Sequence, residues 1–150
     1  MRSARVQLML LSALAAMIGT VSPAHASGCT VSSSGLNFGN YDVFSTLNND
    51  VTGSVDVNCP NGTSYSLGLS SGSGTFYSRT LTNGPHLLGY NLFTDPTRLT
   101  IWGDGSSGTS TVSGSGTGAT VGTPVYGRIP AGQNAYVGSY SDVVTITVTF

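Results

Sequence analysis

The stretch Asp142-Val-Val-Thr-Ile-Thr-Val-Thr-Phe150 repeats with a period of two. Val144, Ile146, Val148 and Phe150 fall on one face, and Val143, Thr145, Thr147 and Thr149 on the other. Such alternation in β-branched residues predicts a strand with one face turned to a core. No residue follows Phe150, so the strand's next neighbour is expected to come from elsewhere. A strand edge without a neighbour is a template for pairing with another chain. The expectation is therefore assembly rather than catalysis.

Composition supports an all-β reading. The chain has 150 residues and 21 glycines, with no Lys and no Glu. Lys, Glu and Ala are the usual helix fillers, whereas Val, Thr, Tyr and Phe favour pleated surfaces. Beyond position 26 the basic residues are Arg79, Arg98 and Arg128, set against six aspartates. So few cations cannot neutralise a run of phosphates, which excludes nucleic acid as an expected partner. The regular supply of Val, Leu, Tyr and Phe argues against disorder.

The amino terminus predicts export. Arg2 and Arg5 precede an apolar run from Leu8 to Val21, followed by Ser22-Pro23-Ala24-His25-Ala26. A basic start, a short apolar core and an Ala-x-Ala end are the features of a cleaved secretory signal. The run is too short for a membrane span, which needs about 20 residues. Residues 1–26 are expected to be removed, leaving one domain over 27–150 with no membrane span. In an exported chain Cys29 and Cys59 are expected to form a disulfide. Closing a loop of 30 positions stabilises by roughly 3–4 kcal/mol in the chain-entropy model. Two cysteines without a neighbouring His pair make a poor metal site.

Strands are predicted at Cys29–Val31, Leu36–Tyr41, Val51–Cys59, Tyr65–Leu69, Arg79–Leu81, Leu87–Phe93, Leu99–Trp102, Pro124–Ile129 and Tyr136–Phe150. Turn chemistry separates them at Pro60-Asn61-Gly62, Thr82-Asn83-Gly84-Pro85 and Asp95-Pro96. The Gly-, Ser- and Thr-rich stretch from Gly103 to Gly122 offers little to bury. Seven or so short strands at this spacing suggest an immunoglobulin-like β-sandwich.

No catalytic constellation emerges. His86 is the one histidine beyond position 26, and it sits beside Pro85 in an expected loop with no ordered nucleophile or carboxylate implied. Asp104 in Trp102-Gly-Asp-Gly lacks the remaining ligands of a calcium loop and is expected to shape a turn. Asn61-Gly62-Thr63 fits a glycosylation sequon, but a turn explains it more simply. No cofactor is expected.

The residues also carry a family resemblance. The pieces are Gly28-Cys29-Thr30-Val31, Leu36-Asn37-Phe38-Gly39-Asn40-Tyr41, Val57-Asn58-Cys59, Leu88–Asp95, Trp102-Gly103-Asp104-Gly105, Tyr126–Gln133 and Gly138–Asp142. In this order they resemble the spore coat protein U domain, the pilin-type subunit of archaic chaperone–usher pili. The resemblance implies an incomplete immunoglobulin-like β-sandwich lacking its final strand. It implies partners as well: a periplasmic chaperone that lends a strand, an outer-membrane usher, and a neighbouring pilus subunit whose segment replaces the chaperone's. The accepting edge would be Val144, Ile146, Val148 and Phe150, with the terminal carboxylate on Phe150 held by the chaperone. Four or five inserted apolar side chains would gain on the order of 10 kcal/mol, comparable to a whole domain's stability.

One departure shapes the expected role. Shaft subunits carry an alternating apolar segment before the first cysteine, and a cut after Ala26 leaves only Ser27 and Gly28 there. Such a chain accepts a strand but has none to give, which predicts a tip or terminal subunit acting in adhesion or biofilm formation at the cell surface. Phe76, Tyr77, Leu87 and Leu88 are then expected as exposed loop residues that touch a surface. The alternative is a free-standing carbohydrate-binding sandwich with platforms at Tyr77, Trp102 and Tyr136, although core packing explains Trp102 better. The two differ in autonomy, because a lectin-like module folds alone and a pilus subunit needs an outside strand.

Overall fold

The computed structural model describes residues 28–150, and the predicted export signal lies outside them. The described residues form nine strands and no helix. These are β1 (Thr30–Ser33), β2 (Asn49–Asn58), β3 (Ser64–Leu69), β4 (Gly74–Thr75), β5 (Ser78–Asn83), β6 (His86–Phe93), β7 (Val112–Ser115), β8 (Thr120–Ile129) and β9 (Ile146–Thr149). They make a six-stranded sheet in the order β1-β2-β8-β6-β5-β4 and a three-stranded sheet in the order β7-β3-β9. Every pairing within both is antiparallel. The all-β, two-sheet sandwich expected from the alternation is what forms.

The register follows the apolar phase. β2 and β8 pair along their whole length, from Asn49 opposite Ile129 to Asn58 opposite Thr120. This turns Val55 and Val57 inward together with Val125 and Ile129. β3 contributes Tyr65, Leu67 and Leu69, and β6 contributes Leu88, Tyr90 and Leu92, each alternate and buried. Strands with one buried and one solvated face need this period. Trp102 is 0% exposed, and its Nε1–H donates to the Leu67 carbonyl at 3.0 Å, satisfying the indole's polar edge. Pro124 lies on β8 before its pairing with β6 begins at Tyr126, so its missing N–H breaks no bond on that side.

A second fully buried side chain braces the two sheets. Arg79 on β5 is 0% exposed. Its guanidinium donates to Asn91 Oδ1 at 2.7 Å and to the carbonyls of Ser70 and Trp102 at 2.8 Å each, with the Phe76 ring 5.6 Å away. Arginine's forked donors suit several fixed carbonyls at once.

Several expectations change. Leu36–Tyr41 is a loop rather than a strand. Its Leu36 and Phe38 side chains fill space over Gly127, where any Cβ would collide with both. The alternation there is real but serves a plug, not a ladder. The Gly103–Gly122 stretch holds β7 and the start of β8. Its small residues are required, since the Tyr65 ring occupies the place a Cβ at Gly114 would take. Leu99–Trp102 yields only single bridges, Ile101 to Phe93 and Trp102 to Ser110. In Tyr136–Phe150 the regular ladder covers Ile146–Thr149 alone. The residues before it bridge β5 at Thr82–Ser141, and Thr145 then accepts from the Ser70 N–H at 2.9 Å. Leu88 is buried on β6 and Phe76 is half-buried, while Tyr77 and Leu87 are exposed. The four were expected together in exposed loops. An inward phase on β6 separates Leu88 from Leu87.

Candidate functional site

The two sheets do not close against each other everywhere. Among the described residues β9 is paired along one edge, with β3, and β1 along one edge, with β2. Beside these two edges a groove of about 1370 Å³ opens between the sheets. Its floor is the inner face of the larger sheet, with Leu88, Tyr90, Leu92, Val125 and Ile129. One wall is the segment from Val31 to Phe44, and the other runs from Ala135 to Ile146. One end is drawn together by the Cys29–Cys59 disulfide, with the Phe150 ring beside Gly28.

The segment ending in the last strand presents Val144 and Ile146 to this groove. Val144, Ile146 and Val148 pack on the core yet remain half-buried, while their alternates Val143, Thr145, Thr147 and Thr149 are exposed. Phe150 lies just past β9 and is 61% exposed. β-Branched residues on an inward phase are ordinarily covered on both sides, so this row is a core face without its cover.

One polar feature interrupts the apolar row. Asp142 shares the half-buried phase of Val144, Ile146 and Val148. Its Oδ2 accepts from the Tyr90 hydroxyl at 2.6 Å, and its Oδ1 accepts from the backbone N–H of Ser73 at 2.9 Å and of Val143 at 2.8 Å. Burial, reinforced by this bond to a carboxylate, raises the pKa of the Tyr90 phenol. Phe38 meets Tyr90 edge-on, with ring centroids 5.9 Å apart. A continuous bridge of Phe38, Tyr90 and Asp142 thus crosses the groove from wall to wall. Gly72 makes room for it: its φ is +62°, and a Cβ there would overlap the Asp142 carboxylate.

The other singled-out residues lie apart from the groove floor. His86 opens β6 and stacks on Tyr136, with centroids 4.3 Å apart and planes 7° from parallel. Asp104 accepts from the Ser106 N–H at 2.8 Å and shapes a turn. Asn61-Gly62 turns the chain, with the Thr63 N–H donating to the Pro60 carbonyl. Among the described residues no three His, Cys, Asp or Glu side chains converge as metal ligands would. Burial also removes Trp102 from any surface platform. Sequence reasoning did not single out Asp142, Tyr90 or Phe38. The available signal was an acid at the head of an otherwise apolar alternate row.

The Spore Coat Protein U domain profile matches residues 15–147. The chain belongs to that family. Among curated proteins it is similar to Protein U of Myxococcus xanthus, with 37% identity over 129 residues, 77% of this chain and 71% of that one. Among solved structures it is similar to one chain of the CsuC–CsuE chaperone–tip adhesion subunit pre-assembly complex, from archaic chaperone–usher Csu pili of Acinetobacter baumannii. The TM-score is 0.61 at 21% identity, over 82% of this chain and 39% of the other, so the present chain spans well under half of that neighbour's length. At that identity the likeness speaks for the fold. This spore coat U domain is therefore an immunoglobulin-like β-sandwich, with the outer edge of β9 unpaired among the described residues.

Proposed function

We propose that this spore coat U domain is a structural subunit of a chaperone–usher surface assembly, pilus or coat, completed by a strand from another polypeptide. The observation that carries the reading is the half-buried row Val144–Ile146–Val148, whose Val144 and Ile146 line an open groove beside the edges of β1 and β9 that are unpaired among the described residues. A strand laid there would cover the row and pair with backbone groups the sandwich leaves free, the β-augmentation mode of recognition. A periplasmic chaperone supplies that strand during export in this reading, and a neighbouring subunit supplies it after passage through an outer-membrane usher. The likeness to one chain of a chaperone–tip adhesion subunit complex and the spore coat U family match support this reading.

The finer role is part of the proposal. With the export signal cut after Ala26, two residues precede Cys29. A subunit that receives a strand without lending one belongs at an end of the assembly, where it would act in adhesion. N-terminal sequencing of the exported protein tests the cut.

The direct test is to fuse an alternating apolar segment after Phe150 of the full chain through a short flexible turn. β9 runs toward the disulfide end, so the fused segment returns antiparallel along its free edge. Filling the groove with four apolar side chains is expected to add on the order of 8 kcal/mol and to raise Tm by tens of degrees. A chain that is monomeric, stable and indifferent to the segment would instead indicate a free-standing binding module.

A further inference from the structure

We propose that the Phe38–Tyr90–Asp142 bridge is a selectivity subsite that reads one side chain of the incoming strand and takes one ending in a hydroxyl. The inference rests on the strand-accepting reading and specifies what the strand must carry. A strand alongside β9 places its inward side chains at the levels of Val148, Ile146, Val144 and Asp142, because both strands repeat every two residues. At the first three levels it meets hydrocarbon. At the fourth it meets a carboxylate and a phenol.

The hydrogen-bond inventory at that fourth level is one-sided. The Tyr90 proton is committed to Asp142 Oδ2, and the Ser73 and Val143 N–H groups to Oδ1. Oδ2 and the phenol oxygen each retain acceptor capacity, and no side-chain donor of the bridge is left over. An incoming methyl group would leave the remaining acceptor capacity of Oδ2 and the phenol oxygen unused and shut off from water, which a hydroxyl avoids. An incoming carboxylate would face Asp142 directly. A hydroxyl satisfies the acceptor, while its methyl, in threonine, packs against the Phe38 ring. Arg79, the buried cation next to this network, already offsets part of the Asp142 charge, which favours a neutral donor over a second cation.

The sign of one substitution carries the test. In a buried apolar site, replacing Val by Thr destabilises, because the hydroxyl goes unpaired. In the full chain bearing the fused segment, Val, Thr or Asp is placed at the segment's fourth inward position, and Thr at its second as a control. Thr at the fourth position is expected to raise Tm by about 2–4 °C over Val, whereas Thr at the second lowers it. Asp at the fourth should lower Tm most, and that loss should shrink in Asp142→Asn in a double-mutant cycle. If the segments all stabilise but Val equals or exceeds Thr at the fourth position, the subsite is overturned and the strand-accepting reading stands. A Thr preference that persists unchanged in Asp142→Ala also overturns it, since the preference then arises elsewhere. If no segment stabilises the chain, the strand-accepting reading falls and the subsite with it.

Discussion

Two parts of the sandwich differ in what covers them. In the closed part, Val57, Cys59, Leu67 and Trp102 are fully enclosed. Along the groove, Val144, Ile146 and Val148 are apolar and alternate in the same way, yet each stays half-buried. A period of two says which face of a strand turns inward. It does not say whether a second layer is there to meet it. The difference locates the work left for a partner.

The largest expected effect sharpens that contrast. Trp102→Ala should cost about 3–5 kcal/mol, as for other fully buried aromatics, with or without a strand fused after Phe150. Ile146→Ala should cost only about 1 kcal/mol in the bare chain, because part of its surface is already in water. With the groove filled, the same change should rise to about 2–5 kcal/mol. Urea denaturation of these four variants and their two parent chains measures both. An Ile146→Ala loss that is already large in the bare chain would mean that the row is covered after all, and the contrast between the two parts would collapse.

Next in size is the disulfide. Cys29–Cys59 ties the start of β1 to the residue following β2, at the end where Phe150 meets Gly28. Its removal by paired Cys29→Ser and Cys59→Ala is expected to cost about 2–4 kcal/mol, read as a lower denaturation midpoint. Filling the groove should not restore the loss, since the bridge acts by constraining the unfolded chain and the strand by covering the apolar row. Full recovery by the fused strand would show that the two parts are one cooperative device.

Much of this architecture is legible in the residues. The inward phases of β2, β3, β6 and β9 follow from alternation, and the cysteines and turn dipeptides mark where strands end. The segment Leu36–Tyr41 misleads because its side chains alternate while its backbone has no partner; its apolar residues sit over Gly53 and Gly127, far away in sequence. β7 escapes notice because its glycine is dictated by the Tyr65 ring, a tertiary fact with no local pattern. The last strand looks longer than it is because Val143–Thr145 carry the pattern on an edge where no neighbour completes the ladder. The groove itself is half legible: the row Val144–Ile146–Val148 announces a face needing cover. The bridge that crosses the groove needs Tyr90 and Asp142, 52 positions apart, to meet in space.

The smallest expected effect lies on the enclosed half and tests whether that half is independent of the groove. Asp95 sits in the exposed turn between β6 and Ile101-Trp102. It accepts hydrogen bonds from the Thr97 hydroxyl and from the N–H groups of Thr97, Leu99 and Thr100, the last at 2.8 Å. The Thr97 hydroxyl is the largest cause, with the Thr100 N–H next, of a carboxyl pKa lowered from 3.8 to about 2. A folded pKa below the unfolded one means that Asp95 favours the native state above about pH 4. That contribution is lost as the pH falls from about 4 through about 2, with no change between pH 5 and 8. Carboxyl titration by NMR should show the low midpoint, and Asp95→Asn should flatten this part of the acid-unfolding slope. The midpoint should also be the same with the groove empty and filled, because the turn touches neither wall. A midpoint that moves when the strand is added would show that the enclosed half responds to the open one, so that completing the groove reorganises the whole sandwich rather than covering a single face.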